Sequence, residues 1–232
     1  MTDQAAPVWF HPPTLWQRLP SRVKNPARSP AVANTQAQFG FKHQGYLSGG
    51  APDYQLSSYA IQSTNATQIG FGDPVIAANA TSAFIIQATG SLATTAPIIG
   101  IFQGCEYIPS GGGAPQWSPF FPGSVAQNAT AYVIDAPNAK FLVATLQTAV
   151  VSTNIGNAIN FTTGQCATVG GGFSIATIDQ STATTTGTTA SLLPFRIVGL
   201  YPSVGNGSDP TTNYNWAIVA FNFQINRAQV GN

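Results

Sequence analysis

From about residue 45 onward, short apolar runs alternate with clusters of Gly, Pro, Asn, Asp and Ser. Nine runs have the length of strands: YAIQS (59–63), PVIAA (74–78), AFIIQA (83–88), IIGIF (98–102), ATAYVID (129–135), KFLVATL (140–146), FSIATI (173–178), FRIVGLY (195–201) and NWAIVAFNFQIN (215–226). Short strands separated by turn residues predict a β-barrel or a β-sandwich. The last run alternates most clearly. Ala217, Val219, Phe221, Phe223 and Ile225 share one face, opposite Asn222, Gln224 and Asn226, which predicts a core strand near the C-terminus.

Between these runs, YIPSGGGAPQWSPFFPG (107–123) reads as a long loop carrying Trp117, Phe120 and Phe121. VGGGF (169–173) reads as a flexible joint or bulge, and the Thr-rich DQSTATTTGTTAS (179–191) as a surface loop. In IIGIFQGCEYI (98–108) the apolar half reads as a strand and QGCEY as the bend that leaves it.

Composition supports the all-β assignment. The chain has one Glu and one Met, so exposed helix faces lack their usual residues, while Thr, Val, Ile, Phe and Gly are plentiful. Only 6% of residues are charged and the net charge is +1, against roughly 25% charged residues in an ordinary domain. A surface this neutral is poorly protected against association. It suits either a well-hydrated exterior or one covered by a partner or by further copies.

The few charges are unevenly placed. Residues 1–42 hold Arg18, Arg22, Lys24, Arg28 and Lys42 against Asp3, whereas residues 43–232 carry six acids against three bases. The early segment PVWFHPPTLWQRLPSRVKNPARSP adds Trp9, Phe10 and Trp16 among its prolines. Proline fixes φ and moves its predecessor out of the helical region, so residues 1–44 are expected to form an extended arm. Its aromatic and basic groups are the anchors of a segment that docks on another surface, and residues 45–232 form the β domain. The prolines and the lack of an apolar core give no export signal, and no stretch has the length and apolarity of a membrane span. Synthesis in a cytoplasm is therefore expected, with Cys105 and Cys166 as small buried apolar groups rather than a disulfide.

The constellations of catalysis are missing. A Cys nucleophile needs a base, and both histidines, His11 and His43, lie far from Cys105 in sequence. No two carboxylates fall within ten residues of each other, so no metal, cofactor or carboxylate-pair chemistry is indicated. The glycine triplets lack the Lys-Ser/Thr of a phosphate loop, and the acidic β region does not suit nucleic acid. The expectation is a protein that is not an enzyme.

Taken in order, GFGDPV (70–75), IIGIFQGCEYI (98–108), WSPFFPG (117–123), AYVIDAPNAKFLVAT (131–145), LPFRIVGLYP (193–202) and AIVAFNFQIN (217–226) resemble the capsid decoration proteins of tailed bacteriophages, also called cement or head-stabilising proteins. The arm is not part of the likeness. The resemblance implies an all-β virion structural protein on the outer surface of the capsid, commonly a homotrimer, that clamps neighbouring major capsid protein subunits. It implies turn roles for Gly72, Asp73 and Pro74 and for Asp135 and Pro137, and a central strand with its exit at Gly100, Gly104, Cys105 and Tyr107. The capsid contact would fall to Trp9, Phe10, Trp16, Arg18, Arg22, Lys24 and Arg28. The competing expectation is a head-fibre, tail or receptor-binding virion module that binds host-surface carbohydrate through Trp117.

Overall fold

The computed structural model describes residues 33–53, 55–79, 81–90, 93, 95–163, 171–185, 187–202 and 205–226. Along them run β1 (Lys42–Tyr46), β2 (Ser57–Ile61), β3 (Pro74–Ala77), β4 (Ile85–Gln87), β5 (Ile98–Tyr107), β6 (Gln116–Ser118), β7 (Ala129–Ile134), β8 (Ala139–Ala144), β9 (Ala158–Thr162), β10 (Thr177–Thr184), α1 (Gly187–Leu192), β11 (Phe195–Leu200) and β12 (Trp216–Phe221). They make an all-β sandwich of two antiparallel sheets. The first sheet has the order β1-β8-β12-β11-β9-β10; the second has β2-β7-β5-β3-β4, with β6 added to the far end of β5. At one corner the first sheet curls back on itself, where the Leu146 N–H donates to the Ile178 carbonyl at 3.0 Å.

β5 explains the layering. Its first eight residues are all buried, because both faces of the second sheet are covered. Ile98, Ile101 and Ile134 face the first sheet and join Phe41, Phe141, Phe161, Phe195 and Phe221 in one core. Phe41 stacks on Phe195 with ring centroids 4.5 Å apart, and Phe195 stacks in turn on Phe221 at 5.8 Å; each buried ring contributes about 2 kcal/mol of apolar burial. Ile99, Phe102, Cys105, Ala131 and Val133 face the other way, against Ile61, Ile69, Phe121 and Val125. Ile69 and Phe121 exchange backbone hydrogen bonds of 3.1 and 2.8 Å, so the two covering segments brace each other.

The turn Gly70–Pro74 joins these layers. Phe41 N–H donates to Gly72 O at 2.9 Å, Gly72 N–H to Phe102 O at 2.8 Å, and Phe102 N–H to Asp73 O at 2.8 Å. Phe71 is bonded on its N–H to Gly172 O and on its carbonyl to Ser174 N–H, both at 2.9 Å. Gly72 has φ of 90° and an added Cβ would meet the Phe41 backbone at 3.1 Å, so only glycine fits there without strain. The Asp73 side chain is fully buried. Its Oδ2 accepts from Gly70 N–H at 2.7 Å and from the Gln87 amide at 2.8 Å, and Oδ1 accepts from the Ser174 hydroxyl.

Several sequence expectations need correction. Phe41 is buried and β1 pairs with β8, so the β unit already includes residues that the sequence reading gives to the arm. QGCEY is not a bend: Gly104, with φ of 138°, marks a register shift inside β5, which continues to Tyr107 between β6 and β7. The loop 107–123 contains β6, and its Phe121 is core. The Thr-rich stretch is strand to Thr184 and helix from Gly187. Threonine is β-branched and suits a strand, and the shifted register of β10 is held by side-chain bonds from Ser181 to Asp179 Oδ1 and from Asn160 N–H to Thr182 Oγ1. The terminal strand stops at Phe221: Asn222 turns to donate to Ala190 O and Leu193 O, and Ile225 is exposed.

Replacing Asp73 by Ala removes the acceptor of two buried donors, the Gly70 N–H and the Ser174 hydroxyl, and of the half-buried Gln87 amide. Urea denaturation should show a loss of about 3 kcal/mol or more, whereas Ser174→Ala, which removes one donor, should cost about 1 kcal/mol.

Candidate functional site

Cys105 and Glu106 are neighbours in sequence but strand alternation sends them to opposite faces of β5. Cys105 is a free, buried cysteine whose Sγ donates only to Phe120 O at 3.5 Å. Burial pushes its thiol up to about 12, so the thiolate required of a nucleophile does not form near neutral pH. Glu106 is exposed and accepts from the Tyr132 hydroxyl at 3.3 Å. The pair is therefore not a thiol with an acid beside it.

The other titratable groups are spread over separate structural tasks. Asp135 ends β7 and accepts from Ser57 Oγ and Tyr59 Oη, each at 2.8 Å, and from Asn226 Nδ2 at 3.2 Å. Burial first and this carboxylate second push Tyr59 up to about 12. The Ala139 N–H bond to Ala136 O closes the turn at Pro137. Asp53 accepts from the Tyr46 hydroxyl, which holds the exposed carboxyl below its ordinary range. His43 packs against Tyr46 and Phe141 at 5.2 and 5.7 Å between ring centroids, and burial lowers its pKa. Among the described residues no group of three His, Cys, Asp or Glu side chains could hold a metal ion, and no helix is long and apolar enough to cross a membrane. A cleft of about 410 Å³ is lined by Ala66, Thr67, Gln68, Gln87 and Pro122. Its Gln87 amide is already committed to Asp73.

Trp9, Phe10, Trp16, Arg18, Arg22, Lys24 and Arg28 lie outside the described residues, as does Cys166. At the entry to the β unit, buried Asn34 is clamped by the loop 205–212. Its Nδ2 donates to Asp209 O at 2.8 Å, its Oδ1 accepts from Gly207 N–H at 2.8 Å, and its N–H donates to Thr212 Oγ1 at 3.3 Å. Thr35 and Asn206 add a reciprocal pair at 2.7 and 3.1 Å. Sequence reasoning missed this clamp, although Asn in a run of small polar residues, like the NGSD turn it meets, is a signal of backbone capping.

Gly72, Asp73 and Pro74 form the hub turn and the start of β3, and Gly104, Cys105 and Tyr107 lie in β5. The structure thus brings Asp73 together with Gln87 and Ser174, and it leaves Asp135 at a different seam. No protein family, no curated protein and no solved structure matches the chain.

Burial pushes the Asp73 carboxyl up to about 6, the three donated hydrogen bonds opposing it. Such an acid binds its proton earlier in the folded chain than at its ordinary 3.8. Folding therefore gains stability as pH falls from about 6 to 4 and loses that gain above 6. His43 acts in the opposite sense as pH falls through 6.5, so comparison with Asp73→Asn isolates the carboxylate. The wild-type advantage over Asp73→Asn should be about 2 kcal/mol larger at pH 4.5 than at pH 7.5; no change with pH would contradict the raised pKa of Asp73. Peptide mapping after alkylation at pH 8 should find Cys105 unlabelled in the native protein and labelled in urea.

Proposed function

We propose that this protein is a virion structural protein: a capsid decoration protein that binds the outside of a phage head and clamps neighbouring major capsid subunits. The observation that carries this reading is where the recurring motifs fall. GFGDPV is the hub turn, IIGIFQGCEYI is β5, WSPFFPG is the end of β6 and the covering layer, and AYVIDAPNAKFLVAT is β7, its turn and β8. LPFRIVGLYP and AIVAFNFQIN contribute β11 and β12. These segments build a frame, and the carboxylates Asp73 and Asp135 tie its strands together. A permanently exposed shell component needs such a frame more than it needs reactive groups.

The low charge supports the same reading, since contact with a symmetric shell covers surface that would otherwise favour association. Copies arranged as a homotrimer would place several weak contacts on one capsid site, and linked contacts add affinity without new chemistry. Trp9 and Trp16, with Phe10 and the basic groups Arg18, Arg22, Lys24 and Arg28, are the candidates for capsid contact, because binding energy concentrates in Trp, Tyr and Arg. The clamp at Asn34 gives force applied to such an arm a fixed root.

Co-sedimentation with undecorated capsids tests the reading. Full-length protein should bind, Trp9→Ala with Trp16→Ala should bind at least tenfold more weakly, and a chain beginning at Ala33 should retain the fold and lose attachment. Absence of binding by the full-length chain would refute the proposal.

A further inference from the structure

The second sheet extends beyond the cover of the first. Ile134, Tyr132 and Thr130 follow one another on a single face of β7; Ile134 is in the core, Tyr132 is half-buried and Thr130 is exposed. Their register partners continue this open face. Ser58 of β2 lies opposite Tyr132, and Glu106 of β5 lies between Thr130 and Trp117 of β6. Trp117 is 60% exposed, the most exposed large apolar side chain among the described residues.

The indole is seated rather than loose. An added Cβ at Gly104 would meet Trp117 Cζ2 at 2.9 Å and Cε2 at 3.3 Å, so the ring lies across the missing side chain. The same glycine is the register partner of Tyr132. A rigid aromatic platform therefore stands beside a solvent-facing carboxylate, with the hydroxyls of Tyr132, Thr130 and Ser58 on adjacent strands about 4.8 Å apart. Tyr132 donates to Glu106 Oε2, which orients the carboxylate across the strands.

We infer that this face, centred on Trp117, Glu106 and Tyr132, is a binding site for a neutral pyranose of a glycan. The C–H face of a sugar ring packs on an indole, which combines a large apolar surface with little conformational freedom to lose. A carboxylate accepts strong hydrogen bonds from ring hydroxyls. Charge selects among ligands: no Lys or Arg occurs between Lys42 and Lys140, a span that includes every strand of the second sheet. Sialylated, sulfated or phosphorylated ligands would meet Glu106 with no cation from this sheet to balance them. A quaternary ammonium group is instead recognised within an aromatic cage, whereas Trp117 and Tyr132 lie on an open sheet face. This activity is independent of capsid attachment, since it uses none of the arm residues.

The full-length protein should be applied to an array of neutral hexose- and N-acetylhexosamine-terminated glycans beside sialylated and sulfated ones. The expected result is retention of neutral glycans only. Trp117→Ala should lower affinity at least tenfold and Glu106→Gln severalfold, the latter being an exposed change that leaves the thermal midpoint in place. Retention of no neutral glycan, equal retention of the anionic set, or binding that survives both substitutions would overturn the site.

Discussion

A single buried carboxylate, with no cation beside it among its bonded partners, holds the junction of this fold. Asp73 takes one hydrogen bond from its own turn, one from β4 through Gln87 and one from the approach to β10 through Ser174. The backbone of the same turn binds Phe41, which leads into β1, and Phe102 within β5. The two sheets are thus joined by directional bonds as well as by apolar contact. A buried acid is costly unless it is hydrogen-bonded; here three donors hold the carboxylate, and burial still pushes its pKa up to about 6. In a chain with so few charges, one such centre gives the sandwich a definite alignment that aromatic packing alone leaves adjustable.

The second sheet shows what this alignment achieves. One of its faces is pressed on the Phe-rich core and the other is sealed by Ile69, Phe121 and Val125, so β5 is buried through most of its length. Beyond Gly104 the first sheet no longer covers it, and one face of the strand opens at Glu106, beside Trp117 of β6. The same strand is therefore framework at its start and ligand surface at its end. The register shift at Gly104 marks the change, and the missing side chain there accommodates the indole.

Alternation and turn residues were enough to locate eight strands and the all-β class, because each apolar run has partners on a buried face; the run FSIATI reaches β10 only at Thr177 and Ile178. The strands left unseen have weaker patterns. β1 is KHQGY and β6 is QWS, short and polar, while β9 is AINFT, whose apolar face consists only of Ile159 and Phe161. DQSTATTTG looked like a loop because its composition is simple, yet threonine is a good strand residue once β9 is beside it. Of the sites, Trp117 was legible as an aromatic in a polar, glycine-rich segment. Its relation to Glu106, Tyr132 and Gly104 depends on strand register, which local sequence does not encode. Asp73 was legible as a turn residue, but its burial against Gln87 and Ser174, the latter 101 residues away, was not.

Native-state hydrogen exchange tests the claim that the Gly70–Pro74 turn holds the two sheets together. The account predicts that the amides of Phe41, Gly70, Gly72 and Phe102 exchange only through global unfolding, at the same free energy as the central amides of β5 and β12. Exchange of Phe41 and Gly72 at a markedly lower free energy, while the strand interiors stay protected, would contradict it and would leave apolar packing as the link between the sheets.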